Sequence, residues 1–262
     1  EAMLQLARAH VSLGDPPPQR RRIESQANKP PHQRRLHLRS ADELLETLHQ
    51  SNTNASQVVT LRARVRLAQS RIEKRPAAKR ARFESAIEIL RQQLDVSPSD
   101  TTVRYTLVEA LAAVNLRREV QTKLLRSEAA TRLGEAFSQL QTLQQQFPNT
   151  PIFVVSEVHI RHKLSNISRT EKDFDEAIHQ LQKAMAMQST LVNAAPENFS
   201  HRCWRALLYR SLAEVHNLQS NQEAAGEAIA NAAADIDAIA PADRDHPFVV
   251  QTQQIIEALL SP

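Results

Sequence analysis

Two histidines and a cysteine are the residues of this sequence whose types and spacing could support chemistry. His159 and His162 lie three positions apart, and a helix would place both imidazoles on one face. A metal site needs more ligands, and neither a cysteine nor a neighbouring carboxylate pair accompanies them in the sequence. We interpret both as surface or core histidines and expect no metal ion.

The single cysteine, Cys203, precedes Trp204, and His201 and His216 are close to it in the sequence. A cysteine–histidine nucleophile also requires an oxyanion hole, usually mounted on a strand or a loop, which the sequence does not signal. A buried thiol is the better interpretation. No kinase glycine-rich loop, catalytic loop or metal-binding motif occurs, so we predict no catalytic residue, no cofactor and no small-molecule substrate.

Acidic residues cluster at Asp173, Asp175 and Glu176. General acid–base chemistry is one interpretation, but the surrounding pattern places the cluster at the start of a helix. Carboxylates there interact favourably with the positive end of the helix dipole. We therefore predict a structural role for this cluster.

Cations dominate the segment from Arg62 to Arg82, which holds nine Lys or Arg side chains against one acid, Glu73. Helical spacing places Arg62 and Arg66 together on one flank of an apolar stripe. A solvated helix surface explains this run without any ligand. The alternatives are an acidic peptide or phosphate groups, which guanidinium binds in a bidentate manner, and a nucleic-acid backbone. The candidate partner-binding residues are Arg62, Arg66 and Arg104.

The composition predicts a nearly all-helical protein. The chain of 262 residues contains only three glycines, whereas strands joined by tight turns would need several glycines at positive φ. Ala, Leu, Gln, Glu and Arg dominate, and these lose little side-chain freedom in a helix. Charge is uneven: residues 1–132 carry 24 Lys and Arg against 14 Asp and Glu, and residues 133–262 carry 9 against 15. The basic half could bind an acidic partner.

A helical pattern recurs along the chain. Four segments place a glutamate near an alanine that is followed by a large apolar residue, and each heads an apolar stripe with i, i+3, i+4 spacing. The four alanines are Ala86, Ala136, Ala177 and Ala228. Another amphipathic segment precedes each stripe. We predict antiparallel helix pairs that stack, because one pair cannot bury its apolar faces alone.

Prolines mark the ends of the four stripes, at Pro98, Pro148, Pro196 and Pro241. Proline cannot continue a helix, so each predicts a stop. We predict one helical-repeat domain over residues 1–262. Its parts are a degenerate leading unit at 1–55, with helices near 1–13 and 40–49 and a Pro- and Arg-rich connection at 14–35, then helix pairs at 56–100, 101–150, 151–198 and 199–243, and a closing helix at 244–262.

The second helix of these pairs resembles that of tetratricopeptide repeats, which have a small residue, a large one four positions later and a proline about twelve positions after the first. Two sets of residues match: Ala86, Leu90, Pro98 and Ala136, Leu140, Pro148. Trp204 and Leu207 match the aromatic and the leucine of the family's first helix, although Leu208 replaces the adjacent glycine. The resemblance implies a right-handed α-solenoid whose first helices bind a protein.

A stretch of the chain, residues 170–240, resembles the helical-repeat tails behind some bacterial serine/threonine kinases and sigma-factor regulators. The resemblance rests on the runs 191–198 and 204–213. It implies part of a larger bacterial signalling or transcription-regulating protein. The chain also begins inside a helical pattern, from which we expect a segment of a longer protein, and one cysteine suits a reducing cytoplasm.

These observations predict a protein–protein interaction scaffold or regulatory module, not an enzyme, that holds a protein or peptide partner, possibly an acidic one. The alternative is nucleic-acid or acidic-partner binding through the basic N-terminal half. Nucleic acid is the weaker choice, because few aromatic residues accompany the cations to stack on bases. No apolar run approaches the roughly 20 residues that span a bilayer, so no membrane segment is expected within this chain.

Overall fold

The computed structural model describes residues 3–8, 31–50, 55–113 and 121–260. Within these ranges all regular structure is helical and no strand is present, which confirms the all-α prediction. Residues 3–8 are helical, and they are followed by α1 (Pro31–Gln50), α2 (Ala55–Ile72), α3 (Pro76–Val96), α4 (Thr101–Ala112), α5 (Lys123–Gln146), α6 (Pro151–Glu171), α7 (Phe174–Ala194), α8 (Phe199–Leu218), α9 (Gln222–Asp237), a 3-10 turn (Pro241–Asp243) and α10 (Pro247–Leu260). None of the described helices combines the length and apolarity needed to cross a bilayer.

The chain forms two compact units, Glu1–Leu111 and Ala112–Pro262. In the first unit, α1 packs on α2, and α2 packs on α3. The helical residues 3–8 contribute Leu4 and Ala7 to the same core. The other buried members of this core are Ala41, Leu45, Leu48, Val58, Leu61 and Val65. The leading stretch of the chain is therefore part of the first unit's core.

In the second unit each helix packs against the next along the chain from α5 to α9, and α10 packs against both α8 and α9. One core, which includes Val158 and Leu208, lies where α6, α7 and α8 meet. Another, which includes Cys203, Ile236 and Ile256, lies where α8, α9 and α10 meet. This packing of neighbouring helices is compatible with a helical repeat.

The four repeat alanines are buried. Ala86, Ala136 and Ala177 have no exposed surface, and Ala228 is 3% exposed. Each lies in the helix that was predicted to be the second of a pair. A small side chain at such a position lets a neighbouring helix approach closely. Their burial confirms that the stripes are core faces.

The prolines end helices as predicted. Helices α3, α5 and α7 each end two residues before a proline, namely Pro98, Pro148 and Pro196. The residue that precedes a proline is disfavoured in the α conformation, so the helix stops one residue earlier. Pro241 differs, because it begins the 3-10 turn between α9 and α10.

The start of α1 corrects one prediction. This helix begins at Pro31, nine residues before the predicted start at Ser40. Proline fits the first helical turn, where its missing N–H leaves no bond unmade. Residues 31–35 are therefore helical and not part of the predicted connection. The rest of that connection, residues 14–30, lies outside the described residues.

Candidate partner-binding surfaces

Two of the predicted partner-binding arginines, Arg62 and Arg66, lie on α2 and pair with carboxylates of α1. Arg62 Nη2 is 2.6 Å from Glu46 Oε2, and the Arg62 side chain is only 14% exposed. Arg66 Nη2 is 3.6 Å from Asp42 Oδ1. These two arginines therefore hold α1 and α2 together.

The third predicted residue, Arg104, lies on α4. Its guanidinium donates a hydrogen bond to the carbonyl oxygen of Pro98. Arg64, between the two paired arginines of α2, lies 3.5 Å from Glu109 of α4. A role of Arg62, Arg66 and Arg104 in binding a partner stays a prediction, and each of them also has a partner within the first unit.

Three other arginines line a cleft of about 230 Å³ in the first unit. Arg35 and Arg39 come from α1, and Arg82 comes from α3. The remaining lining residues are Asp42, Gln69, Ile72 and Glu73. The sequence reasoning missed this cleft because it placed Arg35 in a connection. The i, i+4 spacing of Arg35 and Arg39, on a helix that begins at a proline, was the available signal.

The two carboxylates of this cleft have hydrogen-bond donors of their own. Gln69 Nε2 donates to Asp42 Oδ2 at 3.4 Å. Glu73 Oε1 accepts the backbone N–H groups of Lys74 and Arg75 at 3.0 and 3.1 Å. The hydrogen bond from the Arg75 N–H lowers the pKa of Glu73 below its ordinary value. Glu73 is therefore ionised at neutral pH.

In the second unit, α6 and α8 meet along polar side chains. Glu214 of α8 pairs with Arg169 of α6 and, at 2.5 Å, with Arg210 of its own helix. Arg169 also donates to Asn166 Oδ1 at 3.0 Å. Together with Lys163, which lies one turn before Asn166 on α6 and donates to the carbonyl oxygen of Ala112, these residues are named the α6–α8 seam. The seam carries three cations and one carboxylate.

The helices of the second unit differ in how far they are covered. The residues of α6 from 153 to 169, and those of α8 from 199 to 216, are all at least partly covered, and the seam side chains remain partly accessible. Helices α7 and α9 instead have one open side, with exposed residues such as Lys183 and Glu227. Helices α6 and α8 are thus covered on more sides than α7 and α9, and for this reason alone we name them the inner and the outer helices of this unit.

His159 and His162 both contact Trp204 of α8, so the two imidazoles share a face as their spacing predicts. Their ring centroids lie 4.2 and 6.4 Å from that of the indole. Burial is the main cause that lowers the pKa of each histidine to about 4, and the nearby Lys163 adds to it. Both imidazoles are therefore neutral at pH 7.

His162 also faces a serine, as the histidine of a hydrolase does. Its Nε2 lies 2.9 Å from Ser211 Oγ. That hydroxyl also contacts the backbone carbonyl oxygen of Leu207 at 3.0 Å, and the imidazole tautomer decides which of the two partners receives its proton. The pair is a polar contact between α6 and α8.

Cys203 is buried, as predicted, and burial raises the pKa of its thiol to about 11. The thiolate is the reactive form of cysteine, so this thiol is unreactive at neutral pH. His201 contacts Gln188, whose Nε2 donates to the His201 carbonyl oxygen at 2.9 Å. Over the described part of the chain, no group of three or more His, Cys, Asp or Glu residues is placed to hold a metal ion.

Comparison with protein-family models and with curated proteins adds no relative. No protein-family model matches the chain, and no curated protein matches it. The resemblance to tetratricopeptide repeats therefore rests on the matching residues and on the packing of successive helices. The two candidate binding surfaces of the chain are the arginine-lined cleft of the first unit and the α6–α8 seam of the second.

Proposed function

We propose that this chain is a tetratricopeptide-like interaction module whose inner helices bind a protein or peptide partner. The observation that carries the proposal is that α6 and α8 hold a charged, partly accessible seam, while their apolar residues within 153–169 and 199–216 are at least partly covered by the rest of the unit. Side chains that are already held in place lose little entropy when a partner binds. In this proposal the pairs form an α-solenoid and the seam lines its concave side.

The charges of the seam favour an acidic partner segment. Lys163, Arg169 and Arg210 outnumber the single carboxylate of Glu214, so the surface has a positive excess. Complementary charge speeds association and excludes partners of the wrong sign. Because the seam carries both positive and negative side chains, a partner segment with the complementary order of charges can bind in only one alignment along it.

Site-specific photo-crosslinking tests this proposal. A photoreactive amino acid is placed at Arg210, which is 37% exposed in the seam, or at Lys183 on the outer face of α7. We expect a protein partner from an extract of the source organism to be captured from the seam position and not from the outer one. The purified partner should then bind Arg210→Ala about tenfold more weakly, or about 1.4 kcal/mol, and bind Lys183→Ala normally. Equal capture at both positions would contradict the proposal.

Nucleic-acid binding through the basic N-terminal half is the second candidate. It rests on the excess of cations there, although Arg62, Arg64 and Arg66 each pair with a carboxylate. Binding to a phosphate backbone weakens log-linearly with salt because counterions are released. A salt titration with duplex and single-stranded DNA tests it, and binding with a steep salt slope would favour this candidate over the peptide-binding module.

We also propose that the module belongs to a larger bacterial signalling or transcription-regulating protein, acts in the cytoplasm and is not an enzyme. The resemblance of residues 170–240 supports the context. The buried Cys203, whose thiol is protonated at neutral pH, supports the absence of a cysteine nucleophile. The sequence that flanks this segment in its gene tests the context, because a kinase or sigma-regulator region would support it and an unrelated catalytic domain would contradict it.

A further inference from the structure

The cleft lined by Arg35, Arg39 and Arg82 has hydrogen-bond donors left for a ligand. Among the described residues, Arg39 has no hydrogen-bond or ion-pair partner. Arg35 donates to the backbone carbonyl oxygen of Ile72 at 3.4 Å, and Arg82 donates to Gln69. Each guanidinium has five N–H donors, so most of those at Arg35 and Arg39 are unused within the first unit. The lining side chains come from α1, α2, α3 and the turn after α2, so the fold sets the spacing of the cleft.

Positive charge exceeds negative charge around the cleft. Its two carboxylates also pair with arginines outside it: Asp42 with Arg66, and Glu73 with Arg75, at 3.6 Å in each case. Arg82 Nε lies 3.9 Å from Glu73. Five guanidiniums and two carboxylates thus lie in the cleft or directly beside it, which leaves an excess of three positive charges.

A phosphomonoester matches this excess better than other common oxyanions. It carries a charge of about −1.5 to −2 at neutral pH and three acceptor oxygens, which guanidinium groups bind through pairs of N–H donors. A carboxylate or a phosphodiester carries a single negative charge. The cleft volume of about 230 Å³ is below the range of about 300–1,000 Å³ that is usual for whole small-molecule ligands. One phosphorylated side chain fits such a volume better than a cofactor does.

We propose that this cleft binds a phosphorylated side chain of a protein partner. A phosphate of nucleic acid suits it less, because the nearby Arg62 and Arg66 are paired with carboxylates and do not extend a cationic track from the cleft. The site lies in the first unit, whereas the α6–α8 seam lies in the second. The inference therefore goes beyond the proposed function and does not depend on it.

Isothermal titration calorimetry of the full chain tests the proposal with three probes. They are inorganic phosphate, a degenerate peptide mixture with one fixed phosphoserine, and the same mixture with serine instead. We expect saturable binding of phosphate and binding of the phosphoserine mixture at least about tenfold tighter than that of either other probe. Absence of saturable binding to both phosphorylated probes would overturn the proposal. If inorganic phosphate bound but the phosphoserine mixture bound no more tightly than phosphate, the assignment to a protein partner would be overturned. Duplex DNA that bound more tightly than the phosphoserine mixture would overturn it too.

Matched variants locate the site. Arg39→Gln and Arg35→Gln, both at exposed positions, should weaken phosphate binding at least about tenfold and leave helicity by circular dichroism unchanged. Glu73→Gln keeps an acceptor for the backbone and removes a negative charge, so it should strengthen binding. Arg64→Gln makes the same charge change on α2 outside the cleft and should have no effect. If Arg64→Gln weakened phosphate binding as much as the cleft variants do, the site would not be in this cleft. Arg210→Ala, which changes the seam, should leave phosphate binding unchanged, so the cleft and the seam are tested independently.

Discussion

Asp235 shows how single buried residues join the helices of the second unit. Its side chain is 4% exposed and accepts two hydrogen bonds from Arg205, at 2.8 and 2.5 Å. The same guanidinium donates to Ser189 Oγ at 3.1 Å. One arginine of α8 therefore contacts both α7 and α9. The planar guanidinium makes this geometry possible, and a lysine could not replace it.

Replacing Asp235 by alanine should leave the positive charge of Arg205 without its main partner. Breaking a buried ion pair in this way costs about 3–5 kcal/mol, and the 18% exposure of Arg205 favours the lower value. We expect Asp235→Ala to reduce the free energy of unfolding, measured with urea, by about 3 kcal/mol. Asp237→Ala, at an exposed position of the same helix, should change it by less than about 0.5 kcal/mol. If Asp235→Ala and Asp237→Ala lowered the free energy of unfolding equally, the ion pair between Asp235 and Arg205 would not be the cause of the loss.

The buried histidines predict sensitivity to acid. His159 and His162 have a pKa of about 4 in the folded chain, below the ordinary 6.5, so the unfolded chain binds protons first as the pH falls. Their contribution to stability is complete above pH 6.5 and is lost between pH 6.5 and 4. The loss should be about 1.4 kcal/mol per pH unit for each histidine. Urea unfolding at pH 7, 6 and 5 measures it.

Two glutamine variants separate this effect from other titrations. His162→Gln removes one of the two buried imidazoles and should reduce the pH dependence. His179→Gln removes an exposed imidazole on α7 and should leave the dependence unchanged. If both variants kept the original slope, the buried histidines would not be its source.

At the scale of single helices, α7 begins as the sequence predicts. Asp173 is its N-cap, and Asp173 Oδ1 accepts the backbone N–H of Glu176 at 3.2 Å. Asp175 and Glu176 occupy the first turn, where the helix dipole favours negative charge. The acidic cluster therefore stabilises a helix start.

Removal of this cap should destabilise the second unit. We expect Asp173→Ala to lower the free energy of unfolding by about 1 kcal/mol, because one N–H of the first turn loses its acceptor. Asp173→Asn keeps a capping oxygen and should cost much less. Urea denaturation followed by tryptophan fluorescence compares them, and equal losses would mean that charge, not capping, matters at this position.

Gly134 lies in the interior of α5 and has no turn to make. A Cβ atom added there would meet nothing within 4 Å. Glycine is about 0.8–1 kcal/mol less favourable than alanine inside a helix. We expect Gly134→Ala to raise the free energy of unfolding by about 1 kcal/mol, and Gly226→Ala in α9, which also meets nothing within 4 Å, to act in the same direction. If Gly134→Ala lowered the free energy of unfolding, the conclusion that a Cβ atom at this position meets no neighbouring atom would be wrong.

For the molecule as a whole, the two compact units have separate cores, one around Leu45 and others around Leu181 and Cys203. The single tryptophan, Trp204, lies in the second unit. Its fluorescence therefore reports on that unit, whereas far-UV circular dichroism reports on both. The two signals together can follow the units separately.

We expect the units to unfold in separate steps. Leu45→Ala should shift the dichroism transition, because emptying a buried leucine site costs about 2–5 kcal/mol, and should leave the fluorescence midpoint unchanged. Leu181→Ala should move the fluorescence midpoint. A fluorescence shift caused by Leu45→Ala would show that the whole chain unfolds as one cooperative unit.

The sequence by itself determined the all-α class, the core faces marked by Ala86 and its three counterparts, and the helix ends before Pro98, Pro148 and Pro196. These features depend on residues three or four positions apart, and such local spacing is visible in a sequence. The start of α1 was missed for an equally local reason, since a proline that opens a helix was taken as part of a connection.

Only the tertiary structure decided which charged side chains meet. Arg62 finds its carboxylate 16 positions away and Arg205 finds its own 30 positions away, and the cleft joins Arg82 to Arg39 of another helix. A sequence pattern shows which face of a helix is apolar, but not which helix packs against it or how far along. Ion pairs and clefts depend on that packing, so the α6–α8 seam and the arginine cleft could be found only in the folded chain.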